Sequence, residues 1–107
     1  MKTAYLSHFL VIVPDSLAEK DVSELKNALN QEFERESKFV ALDLSEIDQA
    51  CSLSLGVLVK FHKQFVKAGG KLVLYRPTPF ILSLLEDTKL VLAMPVAKTE
   101  EELLSIH

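Results

Sequence analysis

The sequence predicts an α/β fold: a mainly parallel or mixed sheet of four to five strands with about four helices. Three observations carry this prediction. Short apolar, β-branched runs recur at Phe9–Val13 (FLVIV), Phe39–Leu44 (FVALDL) and Lys71–Tyr75 (KLVLY). Between them lie longer stretches whose apolar residues repeat at three and four, the helical period. Proline and glycine mark the changes from one kind of segment to the other.

The elements follow in order. Pro14 stops Phe9–Val13, and Met1–Ser7 reads as a short additional edge strand. Val22, Leu25, Leu29 and Phe33 form one stripe of an amphipathic helix opened by Asp21, a residue suited to an N-cap. Phe39–Leu44 is the next strand and Ser45–Ala50 a loop. A second helix spans Ser52–Ala68, with Leu55, Leu58, Val59, His62, Phe65 and Val66 on one face. Gly69 and Gly70 end it through the left-handed conformation open to glycine. After Lys71–Tyr75, Pro77 and Pro79 introduce a third helix, Thr78–Asp87, with Phe80, Ile81, Leu84 and Leu85 as its apolar side. Leu90–Ala93 reads as a last strand. Thr99–Ile106 reads as a terminal helix with Thr99 and Glu102 in capping-box spacing. Strands separated by helices favour parallel pairing, which brings the loops Pro14–Lys20, Ser45–Cys51 and Arg76–Thr78 to one sheet edge. Helix N-termini at that edge favour anionic groups.

Composition narrows the function. The 107 residues suit one domain, 1–107, with 49% hydrophobic and 25% charged residues. A net charge of -3 offers no broad basic footprint, so direct nucleic-acid binding is not expected. Cys51 is the one cysteine, which excludes an internal disulfide. The five-residue run Phe9–Val13 is too short for a signal peptide core, and no run reaches the ~20 apolar residues of a membrane span. The expectation is a cytoplasmic protein without membrane insertion.

Signatures of catalysis are missing. Three glycines supply neither GxGxxG nor a P-loop, and there is no GxSxG. His8, His62 and His107 lack ligand spacing, so no metal is expected. His62 lies on an apolar stripe and reads as a half-buried structural histidine. Asp43, Glu46 and Asp48 are close enough for acid–base work, but such carboxylates more commonly cap loops or face solvent. We expect no enzymatic activity and no cofactor; a small enzyme using the loop edge is the least favoured reading.

From Phe39 to Tyr75 and beyond, the chain resembles the STAS domain family, of the anti-sigma-factor-antagonist type. Val40–Leu44 is similar to the family's VVLDL strand. Leu55-Gly56-Val57-Leu58 is similar to its L-G-V-L, and Gly69–Leu74 to its Gly-Gly helix end and following strand. Leu17–Leu29 resembles the family's first helix and lead-in. The family motif places a phosphorylatable serine directly after an aspartate. Here Ser52 keeps the serine, Cys51 stands at the aspartate, Leu53 at the second serine or threonine, and Ser54 at the glycine. The resemblance implies a regulatory module that binds an anti-sigma factor or related serine kinase through Cys51, Ser52, Leu53, Ser54, Leu55 and Gly56. Ser52 is the phosphorylation candidate. Ser52 equally suits an N-cap worth ~1 kcal/mol, and the two roles are compatible. Arg76, at the same sheet edge, is the cation placed to meet a phosphate there or else a solvated loop arginine. The alternative implied function is a non-phosphorylated STAS scaffold or an accessory subunit of a membrane lipid transporter.

Overall fold

The computed structural model describes residues 1–107. Five strands, β1 (Lys2–Leu6), β2 (Phe9–Val13), β3 (Phe39–Asp43), β4 (Lys71–Tyr75) and β5 (Val96–Ala97), form one sheet in that order. β1 and β2 are an antiparallel hairpin, and the remaining pairings are parallel. The helices are α1 (Val22–Glu34), α2 (Ser52–Lys67), α3 (Pro79–Asp87) and α4 (Glu100–Leu104). The mixed sheet with four helices is the architecture expected from the sequence.

The period-2 alternation of the strands explains how the core divides. Leu10, Ile12, Val40, Leu42, Leu72 and Leu74 point to one face, where they pack with Leu25 and Leu29 of α1, Leu55, Leu58 and Phe65 of α2, and Ile81 and Leu85 of α3. Phe33 and Phe65 meet edge to face, with ring centroids 5.6 Å apart, and join α1 to α2. On the other face Phe9, Ala41, Val73, Tyr75 and Ala97 pack with Leu103 of α4. No helix is long and apolar enough to cross a membrane.

Several local expectations are corrected. Leu90–Ala93 is not a strand. Lys89 adopts a left-handed conformation (φ 63°) and Leu90–Leu92 make a 3-10 turn. Leu92 is 81% exposed, so an apolar sequence alone misplaced it. The last strand starts later, where the Pro95 carbonyl accepts the Leu74 amide at 3.0 Å. Asp21 does occupy the N-cap position of α1, but its side chain accepts no helix amide. It closes a 3-10 turn, Glu19–Asp21, and its carboxylate accepts from the Ser16 hydroxyl. Val66 lies about 100° past Phe65 on the helical wheel and is exposed, whereas Val57 and Phe61 are buried. Phe80, in the first turn of α3, is also exposed.

The two terminal glycines of α2 do different jobs. Gly69 has φ 89° and donates to the Val66 carbonyl, while the Gly70 amide donates to that of Phe65 at 2.7 Å. Together they form the paired bonds of a Schellman motif. Gly70 itself has no left-handed φ, so its need for glycine is one of room, not of dihedral angle. At the other end of the chain Thr99 accepts the Glu102 amide as expected. The Glu102 carboxylate reaches the Lys98 amide, one residue earlier than a standard capping box.

Candidate functional site

The parallel register brings the three loops to one edge and ties them together. The Leu17 carbonyl accepts the Cys51 amide at 3.1 Å, and Leu17 and Ala50 form an isolated parallel bridge. The Leu44 amide donates to Tyr75, and the Arg76 amide to Ala97. Thr78 caps α3 by accepting the Ile81 amide, and its hydroxyl donates to the Ile47 carbonyl at 3.0 Å. Helix starts, loops and strand ends therefore share one hydrogen-bonded rim.

The N-terminus of α2 sits in this rim. The N-cap is Cys51, not Ser52 as the spacing suggested. Ser54 performs the capping chemistry. Its buried hydroxyl accepts the Cys51 amide at 3.3 Å and donates to the Leu17 carbonyl at 2.8 Å. Because its hydroxyl ties back to Leu17, Ser54 becomes a bracket between α2 and the loop before α1. The amide of Ser54 at the open helix end also holds the Cys51 thiol below its ordinary pKa range, against the effect of burial.

Freed from capping, Ser52 is the first residue of α2 and is exposed, and its hydroxyl forms no hydrogen bond within the protein. Leu53 beside it is 55% exposed. Leu55 is buried in the core and supports the turn from below. Gly56 lies one turn further on the exposed side, and nothing comes within 4 Å of where its Cβ would be. A helix-interior glycine costs roughly 0.5–1 kcal/mol relative to alanine, and no packing in the fold requires one here. Gly56→Ala is therefore expected to stabilise the protein by about that amount, read as a higher urea midpoint with an unchanged m-value.

Arg76 has a partner at the rim. It follows β4 with φ 50°, and its guanidinium donates to Asp43 at 2.8 Å, with Ser45 and the Tyr75 ring alongside. The expectation of a solvated loop arginine gives way to an ion pair across the ends of β3 and β4. Burial would raise the Asp43 carboxyl, but the Ser45 amide and hydroxyl and Arg76 outweigh it and hold the carboxyl below the usual range. Glu46 and Asp48 are exposed. The three carboxylates thus part company, with Asp43 fastening a loop.

A depressed folded-state pKa means that the Asp43 contribution is complete above the unfolded value of about 3.9 and is lost as pH falls through the folded value. Asp43→Asn is expected to cost about 1–3 kcal/mol at pH 7. The gap from wild type should narrow in acid, below about pH 4. Urea unfolding at neutral and acidic pH checks this; a gap independent of pH would contradict it.

Histidine placement was only half legible. His62 is partly buried, and its Nδ1 accepts the Leu72 amide at 3.3 Å, joining α2 to β4. Burial holds its pKa below the ordinary range. His8 and His107, far apart in sequence, stack with centroids 5.7 Å apart.

Two lysines missed in the sequence belong to the site. Lys26 of α1 and Lys60 of α2 line a shallow groove with Ser52, Leu53 and Gly56, floored by Val57 and Phe61. Lys60 follows Ser52 and Gly56 at i+8 and i+4, a spacing that helical periodicity could have revealed. Lys26 comes from another helix and leaves no local signal.

Comparison with known proteins follows the same architecture. A family model described as the STAS domain matches residues 6–103. No curated protein sequence matches the chain. Among solved structures, an anti-sigma factor antagonist of Thermotoga maritima superposes with a TM-score of 0.88 at 22% identity, covering 97% of this chain and 91% of that one. One from Mycobacterium paratuberculosis gives 0.83 at 16% identity, covering 97% and 89%. The phosphorylated form of the Bacillus cell fate determinant SpoIIAA gives 0.70 at 16% identity, covering 97% and 96%. At these identities the likeness establishes the shared fold.

Proposed function

The chain belongs to the STAS domain family, and on that premise we propose that it is a regulatory protein-binding module of the anti-sigma-factor-antagonist type. It acts in the cytoplasm through contact at Cys51–Gly56, and its partner is an anti-sigma factor or related serine kinase. Phosphorylation of Ser52 by that kinase ends docking. The observation that carries this reading is the Ser52 hydroxyl, exposed in the first turn of α2 and engaged by no protein group, because Cys51 and Ser54 occupy the capping positions. A hydroxyl with no structural duty is open to a kinase. In the transfer, its oxygen takes the γ-phosphoryl group of ATP, its proton goes to a base of the kinase, and ADP leaves.

The surroundings suit a docking surface. Leu53 offers an apolar contact, and Gly56 leaves a helix face without a side chain that the fold does not require. A partner can approach the helix backbone closely there. A phosphate on Ser52 adds about −1.5 to −2 charges and three acceptor oxygens to that contact, and the cost of desolvating them opposes docking. The chain itself carries out no chemistry in this reading.

Incubation with candidate anti-sigma-factor kinases and ATP, followed by intact-mass measurement, tests the proposal. One phosphate should be gained and should be absent in Ser52→Ala. Partner binding that persists while no kinase phosphorylates the chain would favour the scaffold or transporter-subunit reading.

A further inference from the structure

We infer that the groove between α1 and α2 receives the phosphate of phosphorylated Ser52, with Lys26 and Lys60 as its cationic walls. This rests on the reading of Ser52 as a phosphate acceptor and adds where the phosphate goes and what it does to the surface.

The groove is built from two helices and contains no carboxylate. Its polar members are the Ser52 hydroxyl and the two lysines, over an apolar floor of Val57 and Phe61. Neither lysine is in an ion pair. The three ion pairs of the protein are Met1–Glu24, Arg35–Glu32 and Arg76–Asp43. Arg76, which the sequence suggested as the phosphate's partner, is committed to Asp43 at 2.8 Å.

The path from Lys60 to Ser52 is open. Eight residues of helix rise about 12 Å. Helical side chains lean toward the N-terminus, so the Lys60 stem runs back toward the turn at Gly56, and Lys60 and Ser52 line the same groove. The residue between them on that face is Gly56, and the space its side chain would fill is empty. A larger residue would stand between phosphate and ammonium. The cationic character continues beyond Lys60, because Lys63 and Lys67 line the adjoining groove and α2 contains no acidic residue. Glu19, in the turn before α1, acts electrostatically on the neighbouring Cys51 thiol, which it pushes up.

The consequence is a change of sign at one place. Before modification, two free ammonium groups flank Leu53 and Gly56 and present a positive, partly apolar surface to carboxylates of a partner protein. After modification, the phosphate engages those ammonium groups and covers the exposed helix face at Gly56. One transfer removes both the charge and the shape that a partner would read.

The test uses the full chain with phosphoserine installed at position 52 by genetic-code expansion, titrated by 31P NMR. The second phosphate pKa should lie about half a unit below the ordinary value near 6, because nearby cations favour the dianion. The double variant Lys26→Ala/Lys60→Ala should raise it back toward the ordinary value, leaving only what the helix N-terminus contributes. Arg76→Gln should leave it lowered. Both lysines are exposed, and amide spectra verify that the variants fold. A phosphate pKa unaffected by the double lysine change, or one restored by Arg76→Gln, overturns the inference. The phosphate is installed without a kinase, so failure here is separate from failure of the kinase reading, which the intact-mass experiment decides.

Discussion

Gly70→Ala is expected to be the most damaging single-methyl change in this protein, costing about 4 kcal/mol or more and leaving little folded material. A Cβ at position 70 would lie 1.7 Å from the Lys38 carbonyl oxygen and 2.4 Å from its carbon. Those atoms are backbone and cannot swing aside as a side-chain tip can. The same Lys38 oxygen accepts the Lys71 amide at 2.7 Å, at the entry to the β3–β4 pairing. The Gly70 amide in turn closes α2 on Phe65. Relief of the clash would have to open the helix end, the strand entry or both. Gly69→Ala is the control. Its Cβ would meet open space, and the cost is the left-handed conformation alone, roughly 1–2 kcal/mol. Soluble yield and urea unfolding of both variants provide the check. Equal destabilisation would mean that conformation, not room, is what position 70 requires.

Ser52→Asp is expected to weaken partner binding by about tenfold to a hundredfold, or ~1.4–2.8 kcal/mol. Ser52→Ala is expected to leave it nearly unchanged. The difference isolates charge, since both variants lose the hydroxyl. Stability should barely respond to either, because Ser52 is exposed and caps nothing. Surface substitutions of this kind usually fall within about ±0.5 kcal/mol. A carboxylate carries about half the charge of a phosphate, so phosphorylation itself should have the larger effect. Calorimetry or quantitative pull-down with the cognate partner measures it. Equal affinity for wild type and both variants would remove the switch, whatever the fold.

The sequence made the frame legible because the frame rests on local periodicity. β2, β3 and β4 are short β-branched runs, and α1, α2 and α3 carry apolar stripes bounded by Pro14, Gly69 and Pro79. The failures share a cause. Leu90–Leu92 reads as a strand by composition, but exposure is a tertiary property that no window of residues contains. The Asp43–Arg76 pair joins residues at the ends of neighbouring strands, so it appears only when β3 and β4 are in register. Ser52 was assigned a cap by residue type. Cys51 holds the N-cap position, and Ser54 answers it by accepting the Cys51 amide while donating to Leu17, which is distant in the chain. The site is therefore half readable. The α2 start and its serine come from sequence, and the reason that the serine is free comes from the fold.

Mapping of the phosphate after reaction with an anti-sigma-factor kinase and ATP tests the central claim most directly. Intact-mass analysis followed by peptide fragmentation should find a single phosphate on Ser52, and none on Ser54, whose buried hydroxyl is already bonded to Leu17. A phosphate placed on another residue, or one retained at full level in Ser52→Ala, would contradict the account.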